Sequence, residues 1–382
     1  MLCVKIVPSM TKLLYVANAR IPTERAHGIQ IVKMCEAFAK AGLSVELVVP
    51  KRMNWIKENP FSYYAVEKNF KITKLPCLDL IPYHKILGNL GLWIESVSFN
   101  FFAFPYAFFK KADIIYTRDK FFLPLALLKG NLVFETHGFS QNHFLYDPLF
   151  KRLKKIVSIT QKLKDLFQEQ GIASDRILVA ADGVDLERFN VRETQEECRN
   201  KLGLPIDKKI VLYTGHLYDW KGTQVLAQAS DLLPAEIYFV GGTKEDVQDF
   251  KVKDPNLKIK IIGHRPYSEI PCWLRAADVL VLPNSGKEEI SKHWTSPLKL
   301  FEYMAASKPI VASDLPSIRE ILNKDNAILV APDNPEALAE GINKALTDKG
   351  LSARISVLAY EGVKNYTWQK RAEKVLKFIL EK

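Results

Sequence analysis

The sequence predicts an α/β protein made of two doubly wound parallel sheets, and three observations carry that reading. Short apolar runs alternate with helical patterns almost from end to end, the alternation occurs twice, and a polar stretch separates the two series. Length agrees, because 382 residues exceed one ordinary core and suit two domains.

The first series of strands is expected at Lys12 to Ala17, Val45 to Val49, Asp113 to Thr117, Leu132 to Glu135 and Ile156 to Ile159. The second is expected at Ile210 to Thr214, Ile237 to Val240, Ile259 to Ile262, Val279 to Leu282, Ile310 to Ala312 and Ala327 to Val330. Between them, segments such as Gly28 to Lys40 and Gln161 to Gln170 repeat apolar residues at three- and four-residue intervals, the period of a helix packed on one face. The polar run Arg188 to Asn200 puts the domain boundary within residues 186–205.

Apolar residues make up 48% of the chain and charged residues 25%, an average soluble balance without low-complexity segments, so the chain should fold throughout. A formal charge of +11 favours acidic partners: nucleic acid, anionic lipid or phosphorylated small molecules. No nucleic-acid recognition motif accompanies it. Cys3, Cys35, Cys77, Cys198 and Cys272 form no CxxC pair and no even framework, which argues against a zinc site or a disulfide scaffold and fits a reducing cytoplasm. The opening MLCVKIVPS is too short and weakly apolar for a secretory segment, and Met10 is an alternative start.

The longest apolar region, Ile86 to Phe109, is interrupted by Asn89, Glu95, Asn100 and Pro105, so it is not expected to cross a bilayer. Its eight aromatic residues, edged by Lys85, Lys110 and Lys111, suit a helix lying in a membrane interface and equally suit helices packed in a core.

In doubly wound sheets ligands bind beyond the carboxyl ends of the strands, and that rule selects a few loops. The first strand leads to Asn18 through Gly28, a basic loop ending in a glycine that either admits a ligand or simply turns. The fourth leads to Glu135-Thr136-His137-Gly138, where His137 is either a sugar contact or a buried neutral histidine. Gly215 to Gly222 offers His216 and Lys221 to a diphosphate, against the default of a solvated lysine. His264 and Arg265 sit where they would border a nucleobase or form a plain turn.

The strongest stretch is SPLKLFEYMAASKPIVASDLPSIRE. Ser296 as N-cap and Pro297 as first residue would open a helix whose N–H groups face a phosphate, with Lys299 and Glu302 three apart on one face. A surface Lys299–Glu302 pair is the alternative. GxGxxG and GxxxxGK[ST] are both missing from the sequence, which removes support for dinucleotide and P-loop chemistry.

Taken together, ARIPTERAHGIQIVKMCEAFAKAG, Asp182-Gly183-Val184-Asp185 with Phe189, YTGHLYDWKG and SPLKLFEYMAASKPIVASDLPSIREI resemble the GT-B glycosyltransferases, in particular retaining family 4 (group 1). The resemblance covers nearly the whole chain, through Asn365-Tyr366-Thr367-Trp368. It implies two Rossmann-like domains facing across a cleft: an acceptor-binding domain over 1–195, a nucleotide-sugar-binding domain over 196–365, and a terminal helix over 366–382 that packs back on the first.

By the same resemblance His137, Lys221 and Glu302 carry catalysis. Gly28, His216, Lys221, Ser296, Pro297, Leu298 and Lys299 hold the donor diphosphate and Glu302 meets the nucleoside, which the strand-end position of His264 and Arg265 would also let them border. Two positions depart from the family pattern: His216 stands where an arginine is usual, and Trp294 where the first glutamate of E-x7-E belongs.

The implied reaction is retaining transfer of a hexose-type sugar from a UDP- or GDP-sugar to a glycan, lipid-linked, in cell-surface polysaccharide or glycolipid synthesis. Neither cofactor nor metal is expected, since the chain holds no D-x-D. A cytoplasmic enzyme peripheral to an anionic membrane follows, with no nucleic-acid partner. A silent GT-B binding protein and a nucleotide-sugar epimerase or hydrolase are the rivals.

Overall fold

The computed structural model describes residues 11–139, 146–253 and 259–381, excluding the side chains of residues 84, 85 and 251–253. The opening nonapeptide, Met10, Cys3 and the Lys85 side chain therefore lie outside the described residues. The chain forms two compact units, dividing between Ala181 and Asp182 and again between Thr367 and Trp368.

The first unit is built on seven parallel strands: β1 (Lys12–Val16), β2 (Ser44–Pro50), β3 (Lys71–Leu75), β4 (Ile114–Thr117), β5 (Leu132–Thr136), β6 (Lys155–Ser158) and β7 (Ile177–Val179). Their order is β3-β2-β1-β4-β5-β6-β7, so the strand sequence reverses between β1 and β4. Leu14, Val16, Ile115, Leu132, Phe134 and Ile156 project into one buried cluster with Phe99 and Phe122 from flanking segments. Burying such apolar surface is the main source of the unit's stability.

The second unit repeats the plan with β8 (Ile210–Thr214), β9 (Glu236–Val240), β10 (Ile259–Gly263), β11 (Val279–Leu282), β12 (Ile310–Ser313) and β13 (Ile328–Val330). The order β10-β9-β8-β11-β12-β13 is that of a Rossmann sheet, with its crevice between β8 and β11.

The expected boundary near residue 195 moves to 181/182 because the intervening segment is tied to the second unit. Asp182 N donates to Ser296 Oγ at 3.0 Å, and Val184 N donates to Tyr366 O at 2.9 Å. Two strands escaped the sequence reading. KITKL of β3 is an edge strand carrying lysines, and β7 is only three residues long.

The terminal helix Trp368–Leu380 groups with the first unit. Trp368, Arg371, Ala372, Val375, Leu376 and Ile379 form a buried stripe at three- and four-residue intervals. Among the described residues, no helix is long and apolar enough to cross a membrane.

Candidate active site

In the second unit the loop after β8 opens on Gly215, whose φ of +121° is one that L side chains rarely adopt. A β-carbon at Gly215 would stand 3.2 Å from Lys299 Nζ, so the bare backbone makes room for that ammonium. Lys299 is buried on the helix Leu298–Ala305, with Nζ 3.6 Å from the centre of the Tyr213 ring.

Among the described residues its Nζ finds no hydrogen-bond partner, although an ammonium carries three N–H donors. Burial, helped by the nearby Lys221, holds its pKa well below the ordinary lysine range. A buried cation in that condition is costly, and an incoming anion would relieve it.

Lys221 closes the short turn Asp219–Lys221, and burial pushes its pKa down to about 8. The next residue must be glycine. Gly222 has φ +65°, and a β-carbon there would lie 1.8 Å from the Pro283 carbonyl oxygen just past β11. His216 is held by Asp246, Nδ1 to Oδ2 2.6 Å, and stacks on Tyr218 with ring centres 5.0 Å apart. Its proximal nitrogen is therefore committed to a carboxylate.

The helix carrying Lys299 and Glu302 starts one residue later than its sequence suggests. Pro297 is the cap residue in extended backbone (φ −71°, ψ 126°), Leu298 is the first helical residue, and Pro297 offers no side-chain cap. Ser296 does not act as N-cap because its hydroxyl accepts the Asp182 N–H instead. The first-turn N–H groups at Leu298 and Lys299 therefore keep the character of an uncapped helix mouth.

Glu302 is buried one turn further in, and its Oε1 accepts a 2.9 Å hydrogen bond from the Tyr267 hydroxyl. Burial lifts its pKa to about 7, opposed by the Tyr267 bond and by Lys299 and Arg188.

Tyr267 comes from the loop after β10 that also carries His264 and Arg265, both exposed. The loop thus reaches Glu302 through a residue missed in the sequence. Its only signal there was an aromatic shortly after a strand end. Trp294 is the C-cap of the helix Glu289–His293, and Glu288 and Glu289 are exposed.

In the first unit a second cluster gathers at the carboxyl ends of β4 and β5. Glu135, fully buried, accepts from Gln30 Nε2 at 2.5 Å, from the Tyr116 hydroxyl and from Arg371 at 3.2 Å. His137 Nε2 lies 2.5 Å from Glu135 Oε1. Although burial opposes ionisation, Arg371 and His137 hold the Glu135 carboxyl well below its usual range.

Burial, with Arg118 close by, lowers the His137 pKa to about 4, so the imidazole is neutral at pH 7. His27, which the sequence did not single out, is lowered to about 3, first by burial and then by Arg118. Gly28 lies inside the helix Ala26–Lys40, where its N–H already donates to Arg25 O. A β-carbon at Gly28 would sit 2.3 Å from the Tyr64 hydroxyl oxygen, which gives this glycine a packing reason.

Two Rossmann-like units, each with charged groups at its strand ends, define the GT-B fold. Solved structures share it. The Anabaena protein Alr3699/HepE, described in complex with UDP, superposes with a TM-score of 0.75 at 17% identity, covering 96% of this chain and 99% of that one. Sucrose-phosphate synthase from Thermosynechococcus elongatus gives 0.75 at 18%, covering 96% and 97%.

Residues 208–348, within the second unit, match the family model Glycosyl transferases group 1. Among curated relatives, the D-inositol 3-phosphate glycosyltransferase of Xylanimonas cellulosilytica is 28% identical, covering 58% of this chain and 55% of its own. The putative teichuronic acid biosynthesis glycosyltransferase TuaC of Bacillus subtilis is 27% identical over 51% and 48%. An uncharacterized glycosyltransferase of Methanocaldococcus jannaschii is 23% identical over 81% and 84%. The chain spans about half the length of the first two of these relatives.

Proposed function

We propose that this chain transfers a hexose-type sugar from a UDP- or GDP-sugar, with retention at the anomeric carbon, to a glycan on a lipid carrier. The observation that carries the reading is Lys299: a buried ammonium without a hydrogen-bond partner among the described residues, beside Lys221 and at an uncapped helix mouth. Two cations and a helix N-terminus are complementary to a diphosphate. Glu302, one turn deeper, would accept from ribose hydroxyls. The likeness to the Anabaena protein, which is described in complex with UDP, supports a nucleotide donor.

In this mechanism the acceptor attacks from the face the diphosphate leaves, and the leaving oxygen takes the acceptor's proton. Lys221, Lys299 and the helix mouth stabilise the charge that grows on the diphosphate, an effect of about 3 kcal/mol per well-placed group. His137, neutral and with Nε2–H turned to Glu135, offers Nδ1 to a sugar hydroxyl. Gly28 packs against Tyr64 and Thr23, and its bare backbone would let a phosphate approach the start of its helix.

Calorimetric titration with a panel of nucleotide sugars, followed by mass analysis of products formed with a lipid extract, tests the proposal. A transferase releases little free nucleotide until acceptor is added. Turnover of the sugar nucleotide alone would mark an epimerase or hydrolase, and absence of any nucleotide-sugar binding would sink the reading.

A further inference from the structure

The helix Asn89–Phe109 carries its polar residues on the wrong side for a helix facing water. Glu95, Ser96 and Asn100 are buried, where Asn18 donates to Glu95 and Ser96 at 3.1 and 2.9 Å, Arg52 pairs with Glu95 at 2.6 Å, and Asn100 donates to Asp119 at 3.2 Å. Every exposed residue from Leu90 to Phe109 is apolar. Trp93, Phe101 and Phe109 are 57%, 74% and 79% exposed, and Leu90, Val97 and Phe108 continue the stripe at helical spacing.

The patch runs beyond the helix. Lys129 Nζ stands 5.2 Å from the centre of the Phe108 ring, and Leu127 and Leu128, the two residues before it in sequence, are exposed. Cations ring this end. Lys71 and Lys110 share the single carboxylate of Glu46 at 3.3 and 2.7 Å, leaving net positive charge, while Lys111 is exposed and Lys129 partly so. The only acidic residue of the helix, Glu95, is turned inward.

We propose that this face seats the first unit on an anionic bilayer, with the helix in the headgroup plane, the rings immersed and the lysines against lipid phosphates. Twenty-one residues are enough for an in-plane helix, and this one is too interrupted to span. Tryptophan and phenylalanine with flanking lysines is the composition the interface selects, and the chain's +11 charge has the sign an anionic surface attracts. The inference rests on the proposed function only for its purpose, delivery to a lipid-linked acceptor. The contact itself needs no turnover.

The test is co-sedimentation of the full chain with phosphatidylcholine vesicles, with and without phosphatidylglycerol. Wild type should sediment with the anionic vesicles. Trp93→Ser, Phe101→Ser and Phe109→Ser together should lower the partition coefficient at least tenfold. Lys111→Gln with Lys129→Gln should lower it several-fold and flatten its salt dependence. All these side chains are fully or partly exposed, so the variants should keep the wild-type melting temperature and nucleotide-sugar affinity.

No sedimentation of wild type, or full retention by the aromatic variant, overturns the inference. So does a dimer in sedimentation equilibrium that the aromatic variant dissolves while vesicles bind nothing, because the face would then join two copies. Loss of nucleotide-sugar binding with vesicle binding intact would instead remove the proposed function and leave this surface standing.

Discussion

Glu135 and His137 leave the end of β5 two residues apart, and the Oε1 of the first lies 2.5 Å from the Nε2 of the second. An ionised carboxylate can only accept, so the imidazole proton sits on Nε2 and Nδ1 keeps its lone pair. Nitrogen-15 shifts of the His137 ring at pH 7 should report that single neutral tautomer. In Glu135→Gln, whose amide can donate as well as accept, both tautomers should be populated. A charged ring, or a proton on Nδ1 in wild type, would refute the assignment.

Lys299→Met should separate binding from stability. The variant removes a buried ammonium that lacks a hydrogen-bond partner among the described residues, so the unliganded second unit should gain about 1–3 kcal/mol. It should at the same time lose most nucleotide-sugar affinity. Lys221→Ala should lower turnover at least a hundredfold, the equivalent of about 3 kcal/mol. Melting curves and steady-state kinetics on the same preparations check both statements.

A bound diphosphate favours the charged form of Lys221 and therefore raises its pKa above the unliganded value of about 8. Binding near pH 8 should consequently take up protons, and affinity should fall as pH rises through that value. Calorimetry in buffers of different ionisation enthalpy measures the uptake. Lys221→Ala should reduce it. A heat independent of buffer would contradict the assignment.

Arg371 is buried against Glu135 and also donates to the carbonyls of Ala180 and Ala181 at 3.2 and 3.0 Å. Arg371→Met leaves the carboxylate without its strongest cation, so the unfolding transition of the first unit should weaken by about 3–5 kcal/mol. The pH dependence has a definite sign. Because the folded Glu135 pKa is depressed, its contribution is present above the ordinary carboxylate pKa and lost as pH falls towards the folded value. Chemical denaturation at pH 7 and in mild acid measures it.

Gly28→Ala distinguishes packing from phosphate binding. The added methyl would press on the Tyr64 hydroxyl and on Thr23, costing about 1–3 kcal/mol of stability. Nucleotide-sugar affinity of the folded fraction should stay unchanged. A selective loss of affinity without a lower melting temperature would assign Gly28 to the phosphate site alone.

The sequence made the sheets visible because buried parallel strands write themselves as short apolar runs, and β8 and β11 fall where those runs do. β3 was hidden by the lysines of an edge strand. Residues such as His137, Lys221 and Lys299 could be picked out because strand ends and a helix mouth are local features. The partners that set their chemistry were not local. Tyr213 lies under Lys299, Tyr267 reaches Glu302, and Arg371 meets Glu135 across 236 residues of chain. Ser296 shows the converse, a good local cap signal overruled when a distant backbone N–H claimed its hydroxyl.

The return of the chain at Trp368 to the unit it left at Ala181 also matters on the ribosome. Strand β7 and its preceding sheet emerge first, yet the guanidinium that bonds Ala181 is encoded 190 residues later. At ordinary elongation rates of roughly 5–20 residues per second, the early half waits about 10–40 s with a buried carboxylate lacking its counter-ion. Meanwhile the later-made unit, contiguous in the message, has every residue it needs. The order of synthesis and the order of completion of the two units are therefore reversed, and loss of residues 368–382 should harm the unit whose sheet is translated earlier.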